Sequence, residues 1–266
     1  MNVKSNFRDL LFRIWYYYVN KIDKNADILF MNFGYADATH AIKLETQDEC
    51  NRHSVQLYHY LASAVDLKHK DIVEIGCGRG GGLEYINRYF SPASAIGIDL
   101  NKQAIAFCNR YYTLKELSFL QGDAQKLPLG NNTCDVIINV ESSHRYPDMN
   151  LFLKEVYRIL RPDGYFLFTD FRYDFEISLL QNELQSSGMS LIKEEFITQQ
   201  VINALELDDG RKKKLVETLI PRFLHKTALN FAGTIGSETY SRFVSRKYVY
   251  FNYILQKNKH QLLLQD

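Results

Sequence analysis

The 266-residue chain has few cysteines, a single tryptophan and almost no excess of charge. Its four cysteines are scattered without a C-x-x-C pair, which argues against a disulfide framework and a zinc site and predicts a reducing, cytoplasmic compartment. The 32 basic and 31 acidic residues leave a net charge of +1, so no overall field attracts nucleic acid. No run approaches the ~20 apolar residues of a membrane span, and no signal peptide is expected at the N-terminus.

Aromatic rings, by contrast, are abundant: 18 Tyr and 17 Phe contribute to a hydrophobic content of 46%. That content is enough for one sizeable core, and the length suits a single domain with an insertion or a cap. The aromatic side chains either fill this core or border a site for a large apolar substrate. The sequence leaves both interpretations open.

Strand and helix patterns alternate from residue 71 onward, as they do when parallel strands are joined by helices. Candidate strands lie at 71–75, 95–99, 117–121, 134–140, 165–170, 190–196 and 247–255. Candidate helices lie near 80–90, 101–111, 148–160 and 174–187, with Asp148 as the N-cap of the third. The pattern predicts an α/β fold with a doubly wound, seven-stranded sheet whose last two strands are antiparallel edge strands.

The segments outside this alternation predict additions to the core. Residues 1–66 form a helical cap, 67–197 the α/β core, 198–246 a helical lid insertion, and 247–266 the final strand and tail. In the cap, an amphipathic helix at 7–18 packs on the core, covers the substrate or makes transient contact with a membrane, and a second helix spans 46–66.

The basic run Arg211–Lys214 lies in the predicted lid. It forms either a solvated helix face or a surface that meets phosphate or lipid headgroups.

A glycine-rich loop and a carboxylate are the most informative motif of the chain. Residues 74–80 read Glu-Ile-Gly-Cys-Gly-Arg-Gly after a β-branched run, and Asp99 ends the next strand. Glycines let backbone approach a ligand, and a carboxylate at the second strand tip can bind two ribose hydroxyls. Glu74 would repel a pyrophosphate but suits a cationic amino group or a sulfonium. The loop also lacks the Lys and Ser/Thr of a phosphate-binding loop.

Two further strand ends add polar residues to the same predicted pocket. Asp123 and Ala124 follow the third strand, and Asn139 lies near the end of the fourth. Because ligands of open α/β sheets bind beyond the carboxyl ends of the strands, these residues should gather with Glu74 and Asp99.

The run from Ile72 to Asp170 resembles the class I S-adenosylmethionine-dependent methyltransferases. Residues 74–80 resemble the first motif of that family, Asp99 its ribose-binding acid, and Asp123-Ala124 its adenine-contacting turn. The resemblance implies S-adenosylmethionine as the cofactor, with Asn139 on the methionine side. No metal is expected, because no cluster of His and carboxylate residues has the spacing of metal ligands. The implied cofactor-binding residues are Tyr35, Glu74, Gly76, Cys77, Gly78, Asp99, Leu100, Asp123, Ala124 and Asn139.

A narrower likeness comes from the flanks. Phe30–Tyr35, Val140–His144 and the tyrosine-rich final strand are similar to bacterial small-molecule methyltransferases, among them phthiotriol-type lipid O-methyltransferases. Sterol and sugar methyltransferases are more distant. This likeness implies that the Phe33–Tyr35 loop folds over the cofactor and that the acceptor is a small, lipid-like or polyketide-like metabolite. A homodimer is left open.

His144 and Asp170 are the candidate catalytic pair. They follow the fourth and fifth strands, so they should lie at neighbouring strand tips. A neutral imidazole, with an ordinary pKa near ~6.5, can remove the proton of a hydroxyl as its oxygen attacks a methyl group. A nearby carboxylate orients the imidazole. The alternative is that His144 only shapes the substrate site, since proximity and orientation drive much of such a reaction.

These features predict methyl transfer from S-adenosylmethionine to a hydroxyl of a small or lipid-like acceptor. Carbon methylation of the sterol type stays open because Glu141 and the tyrosines could stabilise a carbocation. Nitrogen methylation also stays open, as does a protein that binds the cofactor without catalysis. RNA methylation is disfavoured by the near-zero net charge, and NAD-dependent dehydrogenation by Glu74.

Overall fold

The computed structural model describes Asp23, residues 26–39 and residues 42–258. The helix predicted at 7–18 lies outside the described residues. Within the described ranges, no helix has both the length and the apolar composition needed to cross a bilayer.

One seven-stranded sheet organises the chain and confirms the predicted fold class. Its strands are β1 Asp71–Ile75, β2 Ser94–Asp99, β3 Leu117–Gln121, β4 Cys134–Val140, β5 Leu160–Tyr173, β6 Met189–Phe196 and β7 Tyr248–Lys257. The order across the sheet is β3-β2-β1-β4-β5-β7-β6, with β1 to β5 parallel and β7 antiparallel to both of its neighbours. The edges are therefore β3 and β6, and the prediction that β7 is an edge strand was wrong.

The helices connect these strands and cover both faces of the sheet. The α-helices are α1 Arg52–Ala62, α2 Gly81–Phe90, α3 Lys102–Tyr111, α4 Met149–Ile159, α5 Ile177–Gln185, α6 Thr198–Leu207, α7 Asp209–Leu219, α8 His225–Ala232 and α9 Glu238–Val244. Short 3₁₀ helices span Thr46–Asn51, Ser143–Arg145, Asp174–Glu176 and Arg222–Leu224. Asp148 caps α4 as predicted, since its Oδ1 accepts a hydrogen bond from the Leu151 N–H at 3.0 Å.

Aromatic side chains fill much of the core, so the first of the two interpretations of their abundance accounts for many of them. On β5, Phe166 and Phe168 are fully buried, and on β7 Phe251 and Tyr253 pack beside them. Burying a side chain of this size stabilises the fold by roughly 1.5–3 kcal/mol. The central strands are thereby fixed, and their carboxyl ends form a stable edge.

The insertion between β6 and β7 consists of helices α6 to α9 and lies over this edge. Phe243 of α9 is fully buried and packs against Phe33 and Phe171 with ring centroids 5.3 and 5.7 Å apart. These contacts join three separate parts of the chain: the loop before α1, the end of β5 and the insertion. We call helices α6 to α9 the lid.

Candidate active site

The glycine loop joins β1 to α2 with a backbone that only glycine adopts readily. Gly76, Gly78 and Gly80 have φ values of +78°, +53° and +77°. A Cβ atom on Gly76 would lie 2.3 Å from the Ser142 Oγ, so the loop also has no room for a side chain there. The Gly76 N–H donates to the Ile98 carbonyl at 2.7 Å and fixes the loop against the end of β2.

Asp99 at the tip of β2 faces this loop. Its Oδ2 accepts a hydrogen bond from the Gly78 N–H at 2.9 Å, and its Oδ1 accepts from the Asn101 N–H at 2.8 Å. Burial raises the pKa of Asp99, although the two backbone donors oppose that shift. Each carboxylate oxygen keeps lone-pair capacity for a further donor, as a pair of ribose hydroxyls would require.

The loop and Asp99 border a cleft of about 820 Å³ at the carboxyl ends of the strands. Leu100 beside it is 65% exposed and offers an apolar surface that a flat base could cover. We call this cavity the cleft. The predicted cofactor residues that line it are Gly76, Cys77, Gly78, Asp99, Leu100, Asp123 and Ala124.

Glu74 and Asn139 lie beneath the cleft rather than on its surface. Glu74 is 0% exposed and accepts a hydrogen bond from the Tyr58 hydroxyl at 2.7 Å, and burial raises its pKa to about 8. The Asn139 amide donates to the Ile75 carbonyl at 2.8 Å and joins β4 to β1. Among the described residues, Glu74 Oε2 and Asn139 Oδ1 have no hydrogen-bond partner. Two buried acceptors are thus left unpaired under the site.

Tyr35 does not border the cleft. Its ring is buried and stacks on Tyr60 with centroids 4.4 Å apart, and its hydroxyl donates to Asp37 at 3.3 Å. Tyr35 therefore lies away from the cleft, and its contact with the cofactor stays a prediction. Residues 29–32, just before it, line the cleft instead.

A second cavity of about 430 Å³ adjoins the cleft. Five residues line both: Phe30, Met31, Asn32, Glu141 and Arg145. Its other walls come from the end of β5 and from the lid, among them Phe171, Lys212, Val216 and Ile220. We call it the lid cavity. A ligand there would lie next to a ligand in the cleft.

The structure brings His144 and Asp170 together at the wall of the lid cavity. His144 Nδ1 and Asp170 Oδ1 are 2.8 Å apart, and Asp170 Oδ2 accepts hydrogen bonds from the His144 N–H at 3.0 Å and the Ser143 hydroxyl at 2.7 Å. Arg172 forms an ion pair with the same carboxylate at 3.2 Å. The Nε2 atom of His144 is buried and has no partner among the described residues.

The pKa shifts of His144 and Asp170 show which of the two is charged at neutral pH. Burial lowers the pKa of His144, and the neighbouring Asp170 carboxylate only partly offsets the shift. Burial alone would raise the pKa of Asp170, but the interactions with His144 and Arg172, together with the hydrogen bonds from His144 and Ser143, outweigh it and hold that pKa below its ordinary value. At neutral pH the pair is a neutral imidazole held by an ionised carboxylate.

Glu141 lies between the two cavities. Its Oε1 accepts hydrogen bonds from the Phe33 N–H and the Tyr250 hydroxyl, both at 2.7 Å, and its φ is +45°. Burial raises the pKa of Glu141 to about 8. The sequence suggested a role for Glu141 only beside a carbocation, whereas the structure shows it holding the backbone of the loop before α1.

Several residues that line the site were not predicted. Phe30 and Met31 line the cleft, although only Phe33–Tyr35 was expected to cover the cofactor, and Tyr58 of α1 lines it too. Lys212 was expected within either a solvated face or an anion-binding surface, and the structure excludes the solvated face for it because it is buried. The periodicity of α7 contained no signal for this, since burial depends on how the lid packs.

Comparison with known proteins agrees with this geometry. A family described as methyltransferase domain matches residues 73–168. A fatty-acid O-methyltransferase of Mycolicibacterium smegmatis is 39% identical over 213 residues, which cover 80% of this chain and 78% of the relative. A phthiotriol/phenolphthiotriol dimycocerosates methyltransferase of Mycobacterium tuberculosis is 36% identical over 229 residues, covering 86% of this chain and 85% of the relative.

A solved structure shares the fold. Geranyl diphosphate methyltransferase in complex with S-adenosylmethionine superposes with a TM-score of 0.64 at 14% identity, covering 86% of this chain and 99% of that one. The cleft presents the Asp99 carboxylate and the apolar surface of Leu100, and the unpaired Glu74 Oε2 lies beneath it. The chain therefore belongs to the class I S-adenosylmethionine-dependent methyltransferases.

Proposed function

We propose that this methyltransferase methylates a hydroxyl oxygen of a lipid-like acceptor, with His144 as the general base. The observation that carries the proposal is the His144–Asp170 pair at the wall of the lid cavity. Asp170 occupies Nδ1, so the other ring nitrogen, Nε2, is left for the acceptor. A hydroxyl in this cavity would lie within reach of both the base and the adjoining cleft.

Different residues of the cleft bind different parts of the cofactor. S-adenosylmethionine, when bound, supplies a methyl group on a positively charged sulfur. Asp99 accepts hydrogen bonds from the ribose hydroxyls, and Leu100 and Ala124 pack on the adenine. The unpaired oxygens of Glu74 and Asn139 are acceptors for the ammonium of the methionine part, directly or through a water.

The proton of the acceptor moves to His144 as the oxygen attacks the methyl carbon. The lowered pKa of His144 keeps its imidazole neutral at pH 7, so Nε2 can accept that proton. Asp170 fixes the ring orientation and stabilises the imidazolium that forms. The sulfur becomes neutral when it loses the methyl group, and the proton that leaves the acceptor makes the imidazole positive. The adjacent Asp170 carboxylate compensates this new charge.

The lid cavity suits an apolar acceptor. Its volume of about 430 Å³ lies in the range of small-molecule sites, and Phe33, Phe171, Val216 and Ile220 supply apolar wall. Fatty acids and phthiotriol, which appear in the names of the two relatives, are both lipids. The wall and the relatives together support a lipid-like acceptor.

The test is methylation of a long-chain secondary alcohol by wild type and by His144→Ala. We expect the variant to lose about 10²-fold or more in kcat, since a positioned base contributes at least that much. Its Kd for S-adenosylmethionine should not change, because His144 lines the lid cavity and not the cleft. His69→Ala, which removes an exposed histidine, is the matched control.

The alkene and the amine of the same chain length separate oxygen methylation from carbon and nitrogen methylation. Methylation of the alkene would replace the proposal with carbon methylation, and methylation of the amine with nitrogen methylation. Unchanged turnover of the alcohol by His144→Ala would remove this residue from the mechanism.

A further inference from the structure

The lid buries one lysine in the wall of the lid cavity. Lys212 of α7 is 7% exposed, whereas Lys214 two residues later is exposed to solvent. An ammonium is costly to bury unless its charge and its N–H groups are compensated. The groups that compensate the charge and the N–H groups of Lys212 therefore indicate its role.

The protein satisfies only part of the hydrogen-bonding capacity of Lys212. Its Nζ donates to the Phe33 carbonyl at 3.1 Å, and an ammonium has three N–H groups. Among the described residues, no carboxylate lies within ion-pair distance of this nitrogen. Two donors on a buried positive charge are left for a ligand or for water.

Lys257 is a second buried lysine and provides a comparison for Lys212. It is 4% exposed, and its Nζ donates to the Asn132 side chain and to the Tyr157 and Leu160 carbonyls at 2.9, 2.7 and 2.7 Å. All three N–H groups are used, and Lys257 lines neither cavity. Lys212 is equally buried but incompletely bonded, and it faces a cavity.

The carboxylates around Lys212 are engaged elsewhere. Asp208 pairs with Arg211, Asp209 pairs with Lys213, and Glu141 accepts two hydrogen bonds from other partners. Burial lowers the pKa of Lys212 to about 8, and the charges of Asp208 and Glu141 only partly offset this. An anion in the cavity would complete the compensation.

An apolar wall continues from Lys212. Val216 lies one turn further along α7, Ile220 follows directly after the end of that helix at Leu219, and both line the lid cavity. A ligand with its anionic end at Lys212 could lay an apolar chain along these side chains. The Nζ of Lys212 lies beside the Phe33 carbonyl. The N–H of Phe33 donates to Glu141, which lies at the boundary with the cleft.

We propose that Lys212 forms an anion subsite of the lid cavity and that the acceptor is an amphiphile with a carboxylate. The inference rests on the proposed function, because it takes the lid cavity as the acceptor site. An unused N–H group of Lys212 can donate to a carboxylate oxygen, and the single charge of Lys212 matches the single charge of that group.

Binding to the protein saturated with S-adenosylhomocysteine tests the subsite without turnover. Decanoate and decanamide have the same chain and a head group of similar size, but only decanoate is charged. We expect wild type to bind decanoate at least about 10-fold more tightly by calorimetry, since hydrogen bonds to charged groups contribute that much. Decyl phosphate, measured in parallel, should bind less tightly than decanoate; tighter binding of the phosphate would overturn the carboxylate assignment.

Two variants on the same helix locate the effect. Lys212→Gln keeps a donor for the Phe33 carbonyl but removes the charge, and it should abolish the preference for decanoate. Lys214→Gln removes the same charge from the exposed face and should preserve the preference. Equal Kd values for decanoate and decanamide in wild type would overturn the subsite even if Lys212→Gln did not fold. Loss of alcohol methylation in His144→Ala is a separate readout, so the two proposals can fail independently.

Discussion

At the scale of single residues, the most consequential contact is the one between His144 Nδ1 and the Asp170 carboxylate. His144 must be neutral to accept a proton, so the rate should fall as pH falls through its pKa. Burial lowers that pKa, and Asp170 raises it in part. In Asp170→Asn the raising contribution is lost, so we expect the acidic limb of the pH–rate profile to move to lower pH and the maximal rate to drop about 10-fold or more.

The pH profile distinguishes a positioning role for Asp170 from a merely structural one. A variant that only weakened the fold would lose rate at all pH values without moving the acidic limb. An acidic limb at the wild-type pH in Asp170→Asn would contradict the assignment. The Kd for S-adenosylmethionine serves as the control, since Asp170 does not line the cleft.

Residues next to strand ends could be predicted from the sequence, and residues placed by loops could not. Asp99 and the glycine loop occupy positions that the β1–β2 connection determines, so spacing alone brought them together. Tyr35 belongs to a loop whose path depends on stacking against Tyr60. Lys212 is buried only because the lid packs on Phe33, a contact between residues far apart in sequence.

At the scale of elements, the contact between α1 and α2 depends on a glycine. Gly82 lies in α2, where alanine normally stabilises a helix by roughly 0.5–1 kcal/mol. A Cβ at this position would come within 1.9 Å of the Tyr58 ring of α1. We therefore expect Gly82→Ala to lower the free energy of unfolding by about 1–3 kcal/mol in urea denaturation, the range for an overpacked core.

Gly210 provides the matched comparison for this prediction. It also lies in a helix, α7, and a Cβ there would meet nothing within 4 Å. Gly210→Ala should raise the free energy of unfolding by roughly 0.5–1 kcal/mol, because only the helix preference acts. If both substitutions stabilised the protein, the close packing of Tyr58 on α2 would be refuted.

The regular elements were predictable because their hydrophobic periodicity is local, whereas their irregularities depend on neighbours. The predicted helix at 46–66 begins as the 3₁₀ helix Thr46–Asn51 and becomes α-helical at Arg52. The strand predicted at 165–170 is longer in the structure, because β5 begins at Leu160 and contains an irregularity, with Asp163 at φ +65° and a shift of register against β4. The place of β7 between β5 and β6 is set by pairing, which a single strand pattern does not encode.

At the scale of the whole molecule, the cleft joins parts of the chain that are otherwise separate. Residues 29–32, the loop after β1, the end of β2 and the turn after β3 all border it. A ligand that contacts all of them binds the folded state and not the unfolded chain. Such a ligand stabilises by RT ln(1 + [L]/Kd), about 2.7 kcal/mol at one hundred times Kd.

We therefore expect S-adenosylmethionine at one hundred times its Kd to raise the Tm by about 5 °C or more, given roughly 2–4 °C per kcal/mol for a protein of this size. Asp99→Ala, measured at the same cofactor concentration, should lose most of this shift, because it removes the carboxylate that we propose as the acceptor for the ribose hydroxyls. Asp66→Ala removes an exposed carboxylate that, within the described part of the chain, accepts a hydrogen bond only from the Lys68 N–H, and it should keep the full shift. A shift in Asp99→Ala as large as in wild type would show that the cofactor does not rely on the tip of β2. The assignment of the Asp99 carboxylate to the ribose, which follows from its position at the end of β2, would then be wrong.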